Sequence, residues 1–299
     1  MHHIKKKLLF FVLAFVAAIF AAFAGHTLPD TAETPAPLPS GPMEIVFVDV
    51  GQGDSTFVKT ANGETILIDG GEYDTYESHL LPFLEEQEVD KIDYAVTTHY
   101  HSDHMGGIER LTRDGLVERL YLPDYKDTDN SKTNLIEIAE KRKTEVSYLS
   151  AGSILETNCP GLSIKVLHPQ KGGCKGSNFH NNSSLVLSIT YGGDTFLITG
   201  DIEARGEKEF LVRGVPECAV LKIPHHGSST SSSKRFIMEA DPTYGIISAG
   251  ANNRYGHPHS ETLSLLADED IMVYRTDKDG HITFTVTEKG IDKITFSKT

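Results

Sequence analysis

The sequence predicts one mixed α/β domain over residues 43–299, with two sheets flanked by helices. Short β-branched runs alternate with amphipathic stretches throughout that span, the pattern of strands interleaved with helices. The first strands are joined by a tight Asn62-Gly63 turn, so the chain opens as antiparallel sheet. No short internal period points to a solenoid. With 299 residues, 39% hydrophobic and 23% charged, a large core is available, and a polytopic membrane protein and a disordered chain are both excluded.

Glu44-Ile45-Val46-Phe47-Val48-Asp49-Val50 is rich in β-branched residues and opens the domain as a strand; 55–59 and 65–68 follow as the arms of the Asn62-Gly63 hairpin. Residues 76–88 carry apolar side chains at helical spacing, 93–97 is a short strand, and 104–111 is a helix beginning where a run of histidines ends. A strand at 117–122 and a helix at 131–143 follow, and the Lys141-Arg142-Lys143 end of that helix suits the negative pole of its dipole. Strands at 162–167, 184–190 and 195–199 come next, the last two joined through Gly192-Gly193. Helices at 203–212, 232–240 and 260–266 alternate with strands at 219–223 and 243–248, before closing strands at 271–274, 281–286 and 291–296.

Residues 1–24 differ in composition from the rest. Lys5-Lys6-Lys7 precede an uncharged apolar run, 8–24, that ends in Ala22-Phe23-Ala24, the pattern of a signal peptide cleaved before Gly25. The alternative is an uncleaved anchor, because 17 apolar residues stand at the lower limit for spanning a bilayer. Either form predicts a secreted or extracellular, membrane-anchored protein whose membrane contact is confined to residues 1–24. Residues 25–42 hold five prolines and read as a semi-extended linker.

Charge narrows the function classes. Lys and Arg number 28 against 42 Asp and Glu, a formal charge of −14; loss of residues 1–24 leaves 25 against 42, or −17. No long basic run offsets this, which excludes a protein that coats nucleic acid through its surface field. An anionic substrate would have to be attracted locally. Fourteen histidines in an acidic chain supply imidazole and carboxylate, the ligands of borderline and hard metals. Cys159 and Cys174 could close a short loop, a bridge of about 3 kcal/mol, or they could be buried thiols along with Cys218.

The densest chemistry is Thr97-Thr98-His99-Tyr100-His101-Ser102-Asp103-His104-Met105-Gly106-Gly107, directly after a strand. Three imidazoles and a carboxylate within six residues of a strand-to-helix loop converge as a pair of ligands for each of two adjacent metals.

His-x-His-x-Asp-His followed by Gly-Gly resembles the metallo-β-lactamase superfamily, which implies a four-layer αββα sandwich with metals at one edge of its sheets. Gly51-Gln52-Gly53-Asp54-Ser55 and Ile68-Asp69-Gly70-Gly71 are similar to the ComEC-type hydrolase domain of DNA-uptake proteins. So are Asn182-Ser183-Ser184, Thr199-Gly200-Asp201, Pro224-His225-His226-Gly227-Ser228 and Asn253-Arg254-Tyr255-Gly256-His257-Pro258-His259. The resemblance implies that His99 and His101 hold one divalent ion, Asp103 and His104 a second, and Asp201 bridges them. The His225-His226 pair supplies a further ligand, with His225 expected to coordinate and His226 to face substrate. Many superfamily members carry another ligand His before the bridging Asp; His180 is a candidate substitute. Asp54 either caps its turn or orients a ligand or a water. By the same resemblance His257 is a proton donor to the leaving oxygen and Arg254 a phosphate ligand, with Asn182, Ser184 and Lys222 as further substrate contacts.

Two divalent ions, Zn²⁺ or Mn²⁺, lower the pKa of a water and polarise a phosphoryl oxygen. The leading expectation is therefore an exported two-metal phosphodiesterase or nuclease acting on DNA, with no stable protein partner. A cell-wall phosphorylcholine esterase is the near alternative, disfavoured by the absence of Trp and of choline-binding repeats. Hydrolysis of β-lactams or other esters conflicts with the ComEC-like motifs, and a non-catalytic metal-binding protein conflicts with the intact ligand set.

Overall fold

The β-branched opening segment forms β1 (Met43–Phe47), which pairs antiparallel with β2 (Thr56–Lys59), and β2 pairs with β3 (Thr65–Ile68) across the Asn62-Gly63 turn. β4 (Ile92–Val96), β5 (Val117–Pro123) and β6 (Glu145–Leu149) then add in parallel beside β3. β13 (Ile282–Thr287) and β14 (Gly290–Phe296) extend the other edge, giving the order β14-β13-β1-β2-β3-β4-β5-β6. The second sheet has the order β12-β11-β10-β9-β8-β7. Its strands are β7 (Ser163–His168), β8 (Val186–Tyr191), β9 (Asp194–Ile198), β10 (Val220–Lys222), β11 (Tyr244–Ile247) and β12 (Met272–Arg275). Here too an antiparallel half, β7 to β9, meets a parallel half, β9 to β12. The computed structural model describes residues 41–126 and 130–298; the expected export segment and nearly all of the linker lie outside them.

Strand alternation builds the layers. Ile45, Phe47, Ile66 and Ile68 of the first sheet meet Leu187, Ile189, Phe196 and Ile198 of the second in one buried cluster. The intervening residues Val46, Phe57, Leu67 and Ala95 face the other way, onto helices α1 (Leu80–Glu86), α2 (Ser102–Asp114) and α3 (Ser131–Arg142). On the far side Val186, Leu197, Leu221 and Ile247 pack against α5 (Ala204–Leu211), α6 (Lys234–Ala240) and α7 (Ser260–Asp268). Two short helices, α4 (Phe179–Asn182) and α8 (Thr276–Asp279), complete the set described. The result is the αββα sandwich. Each fully buried Phe, Leu or Ile in its three clusters contributes roughly 1.5–3 kcal/mol.

Several elements depart from expectation. The helix expected at 104–111 starts at Ser102, because the carbonyl of His101 accepts the N–H groups of His104 and Met105; it ends at Gly115 in the left-handed conformation. The stretch 76–88 divides into a single 3₁₀ turn, Tyr76–Ser78, and α1, with a non-helical His79 between them. β6 is an additional strand whose mostly part-exposed residues hide it from a periodicity argument. No disulfide forms: Cys159, Cys174 and Cys218 are all buried free thiols. Cys159 belongs to the inter-sheet core, whereas Cys174 lies against His168 and Glu209.

Candidate metal centre

The candidate ligands all leave the carboxyl ends of strands. Asp69 follows β3, the histidine run follows β4, Asp201 follows β9, and the His225-His226 pair follows β10. β3 and β4 run parallel, as do β9 and β10, so these loops gather at one edge of the sandwich.

Two glycines allow the close approach. A Cβ on Gly107 would lie 2.1 Å from the Gly70 carbonyl oxygen, so only a glycine lets α2 abut the Asp69-Gly70-Gly71 turn. Gly53, at φ +123°, brings its loop against Asp103, where the Asp54 N–H donates to the Asp103 carbonyl at 3.1 Å.

At the centre lie His104 and Asp201. His104 Nδ1 is 2.8 Å from Asp69 Oδ2, and its Nε2 is 3.2 Å from Asp201 Oδ2. Asp69 is held in turn by the Thr98 N–H and hydroxyl, each donating at 2.7 Å. This is the carboxylate–histidine arrangement that fixes a ligand's tautomer and ring orientation. His99 is wholly buried, with Nδ1 3.3 Å from the Ser184 hydroxyl. His226 places Nδ1 3.1 Å from Asp54 Oδ1 and 3.0 Å from the Ser248 carbonyl, and Nε2 3.3 Å from Asp103 Oδ2 and 3.5 Å from Asp201 Oδ2.

The donor atoms of His99, His104 and Asp201 lie within 4.8 Å of one another, as do those of Asp103, His104 and His226. The buried atoms His99 Nε2, His104 Nε2, His226 Nε2 and Asp201 Oδ1 make no hydrogen bond. Buried polar atoms are rarely left so, and four converging imidazole and carboxylate donors suit divalent cations. The residues fit such ions.

The electrostatics describe the same cluster. Burial works to lower His104, but Asp201, Asp69 and Asp54 overcome it and raise its pKa well above the ordinary value. His226 also resists burial, and Asp201 and Asp54 lift it to about 10. His99 is pushed well down, first by burial and then by His104. Burial acts to raise Asp201, yet His104 and His226 hold it well below the usual carboxylate range. In the metal-free protein raised His104 and His226 therefore offset part of the charge of the central carboxylates.

The structure reverses the expected order of the histidine pair. His226 enters the donor cluster; His225 stays at the rim, with Nε2 3.8 Å from Asp201 and Nδ1 3.4 Å from Glu203 Oε1. Both have left-handed backbones, φ 51° and 54°, a conformation costing about 1–3 kcal/mol at a non-glycine residue. That turn sends both imidazoles toward the site. His101 is exposed at the mouth, its ring 4.7 Å from that of His99 and 5.5 Å from that of His180.

Three expected substrate contacts are buried instead. Lys222 is 1% exposed and ion-paired with Asp54, so its charge serves the carboxylate behind His226. Asn182 accepts from the Gly206 N–H at 2.7 Å and donates to the Ser177 and Asn178 carbonyls, which anchors α4. Ser184 accepts from the Asp201 N–H at 3.1 Å and braces His99. Asp54 is no simple turn cap: burial raises its pKa, but Lys222, His226 and His104 together hold it below normal. His257 and Arg254 do line the cavity, of about 320 Å³, over the cluster. His257 is held down to about 4, by burial and then by His226 and His225, which favours its neutral form near pH 7 in the metal-free protein. Sequence reading assigned no role to Asp69, Asn181 or Glu203. Asp69 alone had a signal, a carboxylate between a strand and a Gly-Gly turn.

A sequence model of the metallo-beta-lactamase superfamily matches residues 48–126 and 179–251, the two segments that carry these loops. The chain belongs to the metallo-β-lactamase superfamily. It is a metallo-hydrolase of that superfamily, and its relatives include competence proteins. It is 34% identical over 83% of its length to ComE operon protein 3 of Bacillus subtilis, and 28% identical over 86% to competence protein ComA of Neisseria gonorrhoeae. It spans 34% of the length of each. Igni18, a metallo hydrolase of Ignicoccus hospitalis, shares the fold with a TM-score of 0.52 at 15% identity, covering 82% of this chain and 100% of that one.

Proposed function

We propose that this superfamily member is an exported phosphodiesterase that cleaves DNA, carried across the cytoplasmic membrane by residues 1–24 and working without a stable protein partner. One observation carries the reading: four buried donor atoms without hydrogen bonds converge beside a cavity lined by Asp201 and His226, which carry two of them, and by Arg254. Its likeness to competence proteins adds DNA as the polymer.

His99, His104, Asp103, His226 and Asp201 would hold two divalent cations, Zn²⁺ or Mn²⁺, with His101 and His225 as further donors at the mouth. Such ions supply Lewis acidity toward a phosphoryl oxygen and lower the pKa of a water. The chain's own residues do the positioning. Asp69 holds His104, and Asp54 with Lys222 holds His226. Arg254 binds a non-bridging phosphate oxygen, and neutral His257 accepts a hydrogen bond or a proton at the cavity wall.

The test is hydrolysis by the purified full chain, loaded with Zn²⁺ or Mn²⁺, of single- and double-stranded DNA, p-nitrophenylphosphorylcholine and a cephalosporin. Metal-dependent DNA cleavage abolished by Asp103→Asn supports the reading. Intact DNA with rapid release from the choline ester or the cephalosporin would overturn it.

A further inference from the structure

We propose that Tyr255, backed by Arg254, is a stacking platform for an unpaired nucleobase next to the phosphodiester being cut; this rests on the DNA reading above. Tyr255 is a large aromatic side chain left 47% exposed on the rim of the cavity. Its ring lies 5.6 Å from that of His257 at an interplanar angle of 20°, and His257 lies 6.0 Å from His226. A row of rings thus runs from the donor cluster to solvent. The Arg254 guanidinium carbon is 4.9 Å from the Tyr255 ring centroid, and the guanidinium donates to the Tyr255 hydroxyl at 2.7 Å.

The loop that carries them is fixed before any ligand arrives. Asn253 Nδ2 donates to the Gly250 and His257 carbonyls at 3.0 and 2.7 Å, while its Oδ1 accepts the Tyr255 and His257 N–H groups at 3.2 and 3.0 Å. Stacking on a ring held this way costs little ordering entropy.

Charge explains why a polyanion needs such a platform here. Arg254 is the one Lys or Arg among the residues lining the cavity, which also include Glu72, Asp103 and Asp201. Outside the candidate metal centre, backbone electrostatics, the usual main source of affinity for nucleic acid, are therefore weak. Base stacking on an aromatic ring replaces them and tolerates any sequence, because every base has a π-face. In a duplex the base faces are covered by their neighbours, so the platform selects single strands and frayed ends.

The experiment compares the metal-loaded full chain on a single-stranded oligonucleotide and on the same phosphodiester backbone built from abasic residues, with Tyr255→Ala and Tyr255→Phe beside the wild type. The readouts are kcat/KM on each substrate and the Kd of each in EDTA, where neither is cut. The wild type is expected to favour the base-bearing strand ten-fold or more in both readouts. Tyr255→Ala should bring the ratio near one, and Tyr255→Phe should keep it. A general structural defect would lower both substrates together and leave the ratio intact. Equal use of both substrates by the wild type, or an unchanged ratio in Tyr255→Ala, overturns the proposal while the DNA reading stands. Cleavage of neither strand defeats the DNA reading, and the platform with it.

Discussion

Lys222→Met tests the reassignment of a lysine from substrate to scaffold. The ammonium is 1% exposed and pairs with Asp54, itself 4% exposed, whose other oxygen faces His226. Removing one partner of a buried ion pair leaves an uncompensated charge and costs about 3–5 kcal/mol. Against a total stability of about 5–15 kcal/mol, that is a large fraction. Urea unfolding of the metal-free protein measures it directly. Divalent-cation affinity should also fall, about 10–100-fold, because Asp54 loses the partner that fixes it behind His226. Asp54→Asn combined with Lys222→Met removes both charges, so the double variant should be more stable than Lys222→Met alone. A lysine that served substrate would behave otherwise: Lys222→Met would raise KM and leave unfolding unchanged within about 1 kcal/mol. That result would refute the scaffold role.

Asp69→Asn keeps the shape but weakens acceptance from His104 Nδ1, so metal affinity is expected to drop about 10–100-fold by equilibrium titration with only a modest change in folding. The metal-free protein should also lose stability on the alkaline side. His226, raised from its ordinary 6.5 to about 10, contributes fully below pH 6.5 and loses that contribution as pH rises through 10, by up to about 5 kcal/mol. Asp54 and Asp201 are depressed, so their contribution is present above the ordinary carboxylate range and is lost as pH falls through their folded values. Thermal unfolding in EDTA should therefore show Tm falling between pH 6.5 and 10, and a flat profile across that range would contradict the protonated His104–His226 cluster.

Much of the architecture was legible because it rests on alternation. β3 falls at 65–68 as expected, and the two-sheet order follows from hairpins meeting parallel crossovers. β6 was not, since Glu145 and Tyr148 face solvent on an edge strand and erase the pattern. At the site, ligand types were readable but sides were not. All three residues of β10 are buried, so strand periodicity could not tell that Lys222 points inward to Asp54. The order within His225-His226 depends on two successive left-handed residues, a conformation uncommon outside glycine even though histidine adopts it more often than most. Asn182 and Ser184 sit in the right loop, but their hydrogen bonds turn them to the scaffold.

The same carboxylates bear on how an acidic chain would hold the proposed phosphodiester. Asp54, Asp69, Asp103 and Asp201 lie together around His104 and His226, with Lys222 as the one fixed cation. Without metal, two imidazolium ions and one ammonium nearly balance four carboxylates and leave the site slightly negative. Two divalent cations held there would replace the two imidazole protons and add four positive charges, which would make the site positive. Loading would therefore reverse the sign of the field that a phosphate would meet, with no basic surface needed. It also couples the two equilibria: cations and protons compete for His104 and His226, so cation affinity rises with pH over the range in which metal-free stability declines.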